Sequence, residues 1–290
     1  MIRPEPFQIE LPGATVAGDY WKGPNDRGAA LVVCHGFKGF KDWGFFPYVA
    51  AELVARTGHG AVTFNFDGSG VRESDFDDLD AFSRNTISRE LWDLEAVLDG
   101  LTAGALGRLS VPPARRFGLL GHSRGGATVI LKAAQRRQVE AVAAWAPITV
   151  PSLLLNRNMI DAWEAGRAVV IPNARTKQDM PLHRNGYDDF RAHGDRLDVV
   201  ESARRLAAPL LVVHGTKDES VPLSEGQRIA EAAGDSARLL TIEGSGHTFQ
   251  VVHPFRGARP HLEIALAATA ELFESVFGGS GAATEGENAQ

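Results

Sequence analysis

Short apolar segments alternate along the chain with stretches that have the periodicity of amphipathic helices. The apolar segments are continuous, which is typical of strands buried on both faces of a parallel sheet. Before them, FQIELP and TVAGDYW predict an antiparallel hairpin at one edge. This alternation indicates one α/β domain over residues 1–277, with helices on both faces of a mostly parallel sheet. Six segments are predicted as buried strands: 29–35, 60–66, 116–122, 141–147, 209–215 and 238–244.

The boundaries of three helices are visible in the same pattern. One helix has Asn85 as a candidate N-cap, and its apolar face is formed by Ile87, Leu91, Leu94, Leu98 and Leu101. An earlier helix has Gly58 as its predicted stop, after an apolar face of Phe46, Val49, Ala50, Leu53 and Val54. The last helix is predicted to end at Gly278. The tail 278–290 lacks large apolar residues, which predicts disorder.

Residues 148–208 interrupt the alternation, because they contain no strong strand pattern. An excursion of this length within a compact domain is usually functional, as a lid or a binding loop. We therefore predict a cap over a binding site, and the alternative is a set of surface helices without a role in binding. Trp163 and Met180 are the predicted ligand contacts of this cap, because large aromatic and flexible thioether side chains suit apolar pockets. Its other apolar residues include Leu153, Leu154 and Leu155.

The composition excludes several classes of function. The 290 residues include 30 basic and 36 acidic side chains, and the basic ones are scattered, so no nucleic-acid partner is expected. Cys34 is the single cysteine, which excludes an intrachain disulfide and a thiolate metal site; no metal or cofactor is expected. The sequence has no signal-peptide core and no run of transmembrane length, so we expect a cytoplasmic protein without a membrane partner. The oligomeric state stays open.

The segment GLLGHSRGG, residues 118–126, follows a predicted strand and precedes a helix-like stretch. Gly121, Ser123 and Gly125 match the pattern G-x-S-x-G, in which a serine occupies a sharp turn between strand and helix. Glycine at both flanks removes the Cβ atoms that would clash in such a turn. The turn lifts the serine above the carboxyl ends of the strands, where open α/β sheets bind ligands. In this context the pattern predicts that Ser123 is a nucleophile.

A serine nucleophile needs a base that takes its proton, and in this arrangement an acid and a histidine follow it in chain order. Asp218 comes shortly after the predicted strand 209–215, and His247 shortly after the last predicted strand. Both belong to loops at strand ends. We therefore expect Asp218 and His247 to lie with Ser123 over one edge of the sheet.

Other titratable residues near these positions are weaker candidates. Glu219 neighbours the predicted acid, and His253 lies further into the loop that holds the predicted base. His122 flanks the nucleophile, so its side chain is expected to point away from the serine hydroxyl. His214 ends a buried run and is expected to be structural.

Attack of the serine on a carbonyl produces an oxyanion that needs backbone donors. One predicted donor is the N–H of Arg124, the residue after the nucleophile. The other comes from the loop after the first buried strand, which reads His35-Gly36-Phe37-Lys38-Gly39. The N–H of Phe37 is the best candidate there, and His35 is expected to anchor the loop.

Taken together, these motifs resemble the α/β-hydrolase family over nearly the whole chain, through LVVCHGFKG, FNFDGSG, GHSRGG, HGTKDESVP and GSGH. Within that family the chain is most similar to small serine esterases of the cinnamoyl or feruloyl esterase and dienelactone-hydrolase-like type, and to prolyl-oligopeptidase-like hydrolases. The resemblance implies an eight-stranded, mostly parallel sheet with a small cap after strand six, at residues 148–208. It also implies the roles given above to Ser123, Asp218, His247, Phe37 and Arg124.

Departures from related enzymes narrow the expected chemistry. Ser123 stands where dienelactone hydrolases proper have cysteine, and where haloalkane dehalogenases and epoxide hydrolases have aspartate. No propeller precedes the domain, so a two-domain oligopeptidase is not expected. The polar segment 75–85 is predicted to be a loop without a catalytic role. We expect cleavage of small-molecule carboxylic esters through an acyl-enzyme. The alternatives are a thioesterase, a small peptidase or amidase with the same triad, and a non-enzymatic ligand-binding protein.

Overall fold

The structure is a computed structural model that describes residues 2–25, 28–73, 75–150 and 156–278. Within these residues, eight strands form one sheet in the order β1-β2-β4-β3-β5-β6-β7-β8. The pairs β1–β2 and β2–β4 are antiparallel and the other five are parallel. The predicted fold class is confirmed. The strands are β1 (Glu5–Leu11), β2 (Ala14–Trp21), β3 (Ala29–Cys34), β4 (Gly60–Asn65), β5 (Arg116–His122), β6 (Val139–Trp145), β7 (Leu210–Gly215) and β8 (Ala237–Ile242).

Helices cover both faces of this sheet, which explains why the central strands are apolar throughout. Successive residues of β3 point to opposite faces: Val32 belongs to one apolar cluster, and Leu31 and Val33 belong to the other. Helices α3, α4, α7 and α8 pack on the Val32 side, and α1 and α9 on the other. The helices are α1 (Phe46–Thr57), α2 (Leu79–Ser83), α3 (Ile87–Ala103), α4 (Arg124–Ala133), α5 (Arg157–Glu164), α6 (Asn185–His193), α7 (Val199–Arg204), α8 (Leu223–Ala233) and α9 (Pro260–Phe277).

The helix boundaries follow local signals with one exception. Helix α1 ends at Gly58, whose φ of 74° lies in the left-handed region, as the sequence predicted. Helix α3 begins one residue later than predicted, because Thr86 and not Asn85 is its N-cap. The Thr86 hydroxyl accepts a hydrogen bond from the Arg89 N–H at 3.0 Å, whereas the Asn85 amide donates to the buried Glu90 carboxylate.

The region between β6 and β7 contains a hairpin that the sequence did not predict. Val169–Asn173 pairs with Gln178–Leu182 in antiparallel register, alongside α5, α6 and α7. Each strand has only five residues and contains a proline, so neither resembles the continuous runs of the central sheet. Residues 153–155 of the predicted cap, and residues 279–290 of the predicted disordered tail, lie outside the described part of the chain.

The hairpin of residues 169–182, called the cap hairpin below, packs on the segment 75–85. This segment contains the short helix α2 rather than only a loop. Arg175 at the hairpin turn forms an ion pair with Asp75, at 2.6 Å. The His183 N–H donates to the Ser83 carbonyl at 2.9 Å, and Gln178 donates to a carbonyl of the same segment. Both elements therefore form one wall above the carboxyl ends of the strands. None of the described helices is long and apolar enough to cross a membrane.

Candidate active site

Ser123 occupies the turn between β5 and α4 with an unusual backbone conformation, φ 57° and ψ −119°. Its N–H donates to the Trp145 carbonyl at 2.7 Å, which fixes the turn to β6. A Cβ on Gly121 would collide with the Gly125 carbonyl, and a Cβ on Gly125 would collide with the backbone of His35. Only glycine fits at these two positions, because strand, turn and helix approach each other at backbone distance. The strained conformation is of the kind that proteins retain at functional sites.

Asp218 and His247 come from the loops after β7 and β8, and the structure brings them together. His247 Nδ1 lies 2.8 Å from Asp218 Oδ2. The other carboxylate oxygen, Oδ1, accepts the N–H groups of Ser220 and Val221, both at 2.9 Å. Burial opposes ionisation of Asp218, but hydrogen bonds from His214, His247 and the Val221 N–H outweigh it, so the pKa of this carboxyl lies well below its ordinary value. A carboxylate is therefore fixed against the imidazole.

Two further histidines support this pair, and the sequence assigned neither of them this contact. His122 Nε2 donates to the backbone carbonyl of His247 at 2.9 Å, and the two rings lie 4.6 Å apart. Burial and the nearby His247 lower the pKa of His122 to about 3, so it stays neutral. His214 is fully buried; its Nε2 contacts the Val221 carbonyl at 2.9 Å and lies 3.5 Å from Asp218 Oδ2. Both rings hold the loops after β7 and β8 in place.

The loop after β3 lies against the turn that contains Ser123. A Cβ on Gly36 would come within 2.8 Å of the His122 carbonyl and 3.0 Å of Ser123 Cβ. His35 anchors this loop: its Nδ1–H donates to the Gly36 carbonyl at 2.9 Å, and its Nε2 accepts the Phe66 N–H at 3.3 Å. Burial lowers the pKa of His35 to about 4, which agrees with a neutral ring that donates on one side and accepts on the other.

The two N–H groups predicted as oxyanion donors belong to this loop and this turn. In the described part of the chain, no hydrogen bond is donated by the backbone N–H of Phe37 or of Arg124. Arg124 is the first residue of α4, and the first N–H groups of a helix have no partner within the helix. Both donors are therefore available to a ligand.

A cavity of about 530 Å³ opens beside Ser123 and His247. This volume lies within the range of small-molecule sites. Its walls come from the loop after β3, the segment 75–85, the cap hairpin and the loops after β6 and β7. The apolar lining residues are Phe37, Phe82, Ile148, Trp163, Ile171, Pro172, Leu182 and Val221.

Trp163 and Met180, the two residues of the predicted cap expected to contact a ligand, occupy different positions relative to the cavity. Trp163 lines the cavity, and its indole N–H donates to the Leu182 carbonyl at 3.0 Å. Met180 does not line it, because its strand turns this side chain into a cluster with Phe40, Phe76 and other apolar residues, where it is fully buried. Met180 therefore supports the cavity wall from behind, which corrects its predicted contact with the ligand.

Several lining residues were missed at the level of sequence. Phe82, Ser83 and Asn85 belong to the segment 75–85, to which the sequence assigned no catalytic role, and His183 follows the cap hairpin. The segment carried one usable signal, the aromatic residues Phe76 and Phe82 within a polar stretch. Nothing local indicated that this segment would line a cavity with Ser123.

Comparisons with known proteins agree with this architecture. The family model of the prolyl oligopeptidase family, a peptidase family, matches residues 45–257. A structure of Est1E from Butyrivibrio proteoclasticus with bound ferulic acid is 20% identical, with a TM-score of 0.71, over 93% of this chain and 99% of that one. A monoacylglycerol lipase from Paleococcus ferrophilus is 18% identical, with a TM-score of 0.64, over 92% and 99%. An acylaminoacyl peptidase from Pyrococcus horikoshii is 20% identical, with a TM-score of 0.65, over 95% of this chain and 42% of its own.

At these identities the solved structures show a shared fold, while the family model covers well over half of the chain. The matched residues include the turn at Ser123 and the loops after β7 and β8. The predicted resemblance is confirmed. The chain belongs to the prolyl oligopeptidase family, and it is a serine hydrolase of the α/β-hydrolase fold.

Proposed function

We propose that this protein is a carboxylesterase that cleaves small-molecule esters through an acyl-enzyme intermediate. Ser123 is the nucleophile, His247 is the general base and then the general acid, and Asp218 orients the imidazole. The observation that carries the proposal is the 2.8 Å contact between Asp218 and His247, together with the position of His247 and Ser123 on the wall of one cavity. A serine on a sharp turn after a parallel strand, with a histidine that is held by a carboxylate, is the arrangement that activates a serine hydroxyl.

The first half of the reaction forms the ester between Ser123 and the acyl group. Nε2 of His247 takes the hydroxyl proton while Oγ attacks the carbonyl carbon, and the imidazolium then gives the proton to the departing alkoxide. Asp218 accepts from Nδ1 and so keeps Nε2 as the acceptor. In the second half, water replaces the alcohol, and the same proton transfers release the acid and regenerate the serine.

The oxyanion of both tetrahedral intermediates is proposed to lie between the N–H groups of Phe37 and Arg124. Backbone donors that are already in position lose no reorganisation energy when charge develops on the oxygen. The lack of a protein acceptor for either N–H in the described part of the chain supports this assignment. The Arg124 N–H also lies at the N-terminus of α4, where the helix dipole favours negative charge.

Esters are proposed as the substrates because the cavity lining is mostly apolar and because similar folds include a lipase and a protein with bound ferulic acid. The same triad can hydrolyse thioesters and amides. Membership of a peptidase family favours small amides as the second candidate.

The proposal is tested by covalent labelling and a substrate panel. A fluorophosphonate is expected to label the protein once, at Ser123, and to abolish hydrolysis of p-nitrophenyl esters. The panel compares short p-nitrophenyl and aryl esters with acyl-CoA thioesters and aminoacyl amides. Failure of the probe to react with folded protein would exclude a serine esterase, and faster turnover of amides would select the peptidase alternative.

Replacement of Trp163 by Ala is expected to lower kcat/KM for a bulky aryl ester, because about 1–3 kcal/mol of transition-state binding free energy is lost. The kcat/KM for acetate esters is expected to change little. The reason is that the indole lines the cavity and contacts only substrates large enough to reach it. Steady-state kinetics on p-nitrophenyl acetate and a naphthyl ester give the comparison.

Met180→Ala is the matched control, because Met180 lies in the same hairpin but behind the wall. Loss of this buried side chain is expected to cost about 2–5 kcal/mol of stability, measured by denaturant unfolding, with equal effects on both esters. A selective loss of the bulky ester in Met180→Ala, or equal losses in Trp163→Ala, would contradict the assignment of Trp163.

A further inference from the structure

Arg124 follows the proposed nucleophile and lines the cavity. The residue is nevertheless almost completely buried, with 8% of its surface exposed. Its Nε lies 3.0 Å from Glu90 Oε1 on helix α3. The guanidinium carbon lies 5.7 Å from the centre of the Phe37 ring. The arginine is therefore fixed on two sides, by a carboxylate and by an aromatic face, and not free to leave the cavity.

Glu90 is itself held in one position. The Asn85 amide donates to Oε1 at 2.8 Å, and the Thr128 hydroxyl donates to Oε2 at 3.0 Å. The carboxylate is almost fully buried. Because Glu90 is anchored by α4 and by the turn before α3, its ion pair holds the Nε edge of the arginine in place, although the contact lacks hydrogen-bond geometry.

Neither Nη atom of Arg124 donates a hydrogen bond to any residue in the described part of the chain. A guanidinium carries five N–H donors and no acceptor. Nε of Arg124 is fully buried, whereas the two Nη atoms are not among the fully buried unpaired atoms of the described residues, so a ligand can reach them. A nine-tenths buried arginine with unused donors on the wall of a cavity indicates that the missing acceptor belongs to a ligand.

The charge of the cavity indicates which acceptor. Its lining contains two cationic side chains, Lys38 and Arg124, and no aspartate or glutamate among the described residues. The whole chain has the opposite balance, with a formal net charge of −6. The charged side chains of the lining are thus cationic, with Glu90 behind the wall offsetting part of the charge of Arg124, and the remaining walls are mostly apolar.

We propose that the Arg124 side chain is a specificity determinant that binds a carboxylate carried by the ester substrate. The paired Nη donors match the planar geometry of a carboxylate, and the apolar walls suit the short carbon chain that joins it to the scissile ester. The proposal rests on the esterase function proposed above. Two sources carry this chemistry: the monoester of a dicarboxylic acid, with the charge on the acyl side, and the ester of a hydroxy acid, with the charge on the alcohol side.

Two pairs of substrates distinguish these sources. Mono-p-nitrophenyl glutarate is compared with neutral p-nitrophenyl pentanoate for the acyl side, and p-acetoxybenzoate with phenyl acetate for the alcohol side. Rates are corrected for uncatalysed hydrolysis, and kcat/KM for the charged ester is divided by kcat/KM for the neutral ester of the same pair. In one pair this ratio is expected to fall by about tenfold to a hundredfold in Arg124→Gln, which corresponds to the loss of a charge-assisted hydrogen bond. Arg124→Lys, which keeps the charge but loses the fork, is expected to be intermediate.

Arg157→Gln is the matched control, because Arg157 belongs to the cap but its side chain is 77% exposed and pairs with Asp161 on α5. Its substrate ratios are expected to match those of the unmodified protein. A measurement without any variant guards against misfolding of Arg124→Gln: glutarate is expected to inhibit hydrolysis of neutral esters competitively, and glutaramide to inhibit it far less.

The outcomes separate the two proposals. Ratios that do not change between the unmodified protein and Arg124→Gln in both pairs, or equal inhibition by glutarate and glutaramide, would overturn the role of Arg124 while the esterase stands. If none of the four esters is hydrolysed in a manner that depends on Ser123, the proposed function itself fails.

Discussion

Ser123→Ala is expected to lower kcat for ester hydrolysis by about 10⁴–10⁶, the size of effect seen when a serine hydrolase loses its nucleophile. The remaining rate comes from the oxyanion donors and the cavity, which the substitution leaves in place. Turnover of a p-nitrophenyl ester, together with fluorophosphonate labelling, measures the loss.

The fold of this variant is expected to survive. Ser123 makes its hydrogen bond to β6 through the backbone N–H, and Ala retains this donor. Ser275→Ala, on the exposed surface of α9, serves as the matched control and is expected to keep full activity. Activity of Ser123→Ala within tenfold of the unmodified protein, with an unchanged melting temperature, would remove Ser123 from the mechanism.

His247→Ala is expected to cost about as much as Ser123→Ala, because the members of such a triad act as a unit. Asp218→Asn is expected to lower kcat by about 10⁴, since an amide at this position favours the wrong tautomer of the imidazole. His253→Ala is the control: its ring accepts the Gly44 N–H at 2.9 Å and packs on Trp43, outside the cavity. If His253→Ala were the inactive variant instead, the base would have been misassigned.

The pH dependence follows from the proposed chemistry. A histidine base must be neutral to accept the serine proton, so kcat/KM is expected to rise with pH across the range in which histidines in general change charge, about pH 5 to about pH 8. The neighbouring groups do not share this transition. Hydrogen bonds keep the pKa of Asp218 well below its ordinary value despite burial, and burial lowers the pKa of His122 to about 3. A profile that is flat over this range for a slow substrate would contradict a histidine base.

The parts of the site that the sequence predicted depend on local structure. Continuous apolar runs identify the buried strands, and a loop that follows such a run must emerge at the carboxyl edge of a parallel sheet. Ser123, Asp218 and His247 each follow a run of this kind, so their meeting over one edge is a consequence of the strand order. The glycines around Ser123 add a second local signal, because the turn leaves no room for a Cβ.

The walls of the cavity depend on tertiary contacts that no local pattern predicts. Arg175 and Asp75 pair across a separation of 100 residues, and the Ser83 carbonyl meets the His183 N–H across the same distance. Neither short strand of the cap hairpin has the length or the apolar continuity that identifies a strand. Met180 lies behind the wall for the same reason: which face of a strand is buried depends on what packs against it, and here that partner is Phe76 and its neighbours.

The sheet, the glycine-flanked turn at Ser123 and the positions of Asp218 and His247 after strands could be read from the sequence alone, because each follows from periodicity, glycine placement and position relative to a strand. The sequence did not determine which side chains face the ligand. Arg124 and Glu90 show the reason. Arg124 directly follows the predicted nucleophile, whereas Glu90 occupies an ordinary position on a helix. Nothing in their spacing along the chain predicts the buried ion pair between them. Contacts between elements that are distant along the chain depend on how those elements pack, and packing is a property of the folded molecule.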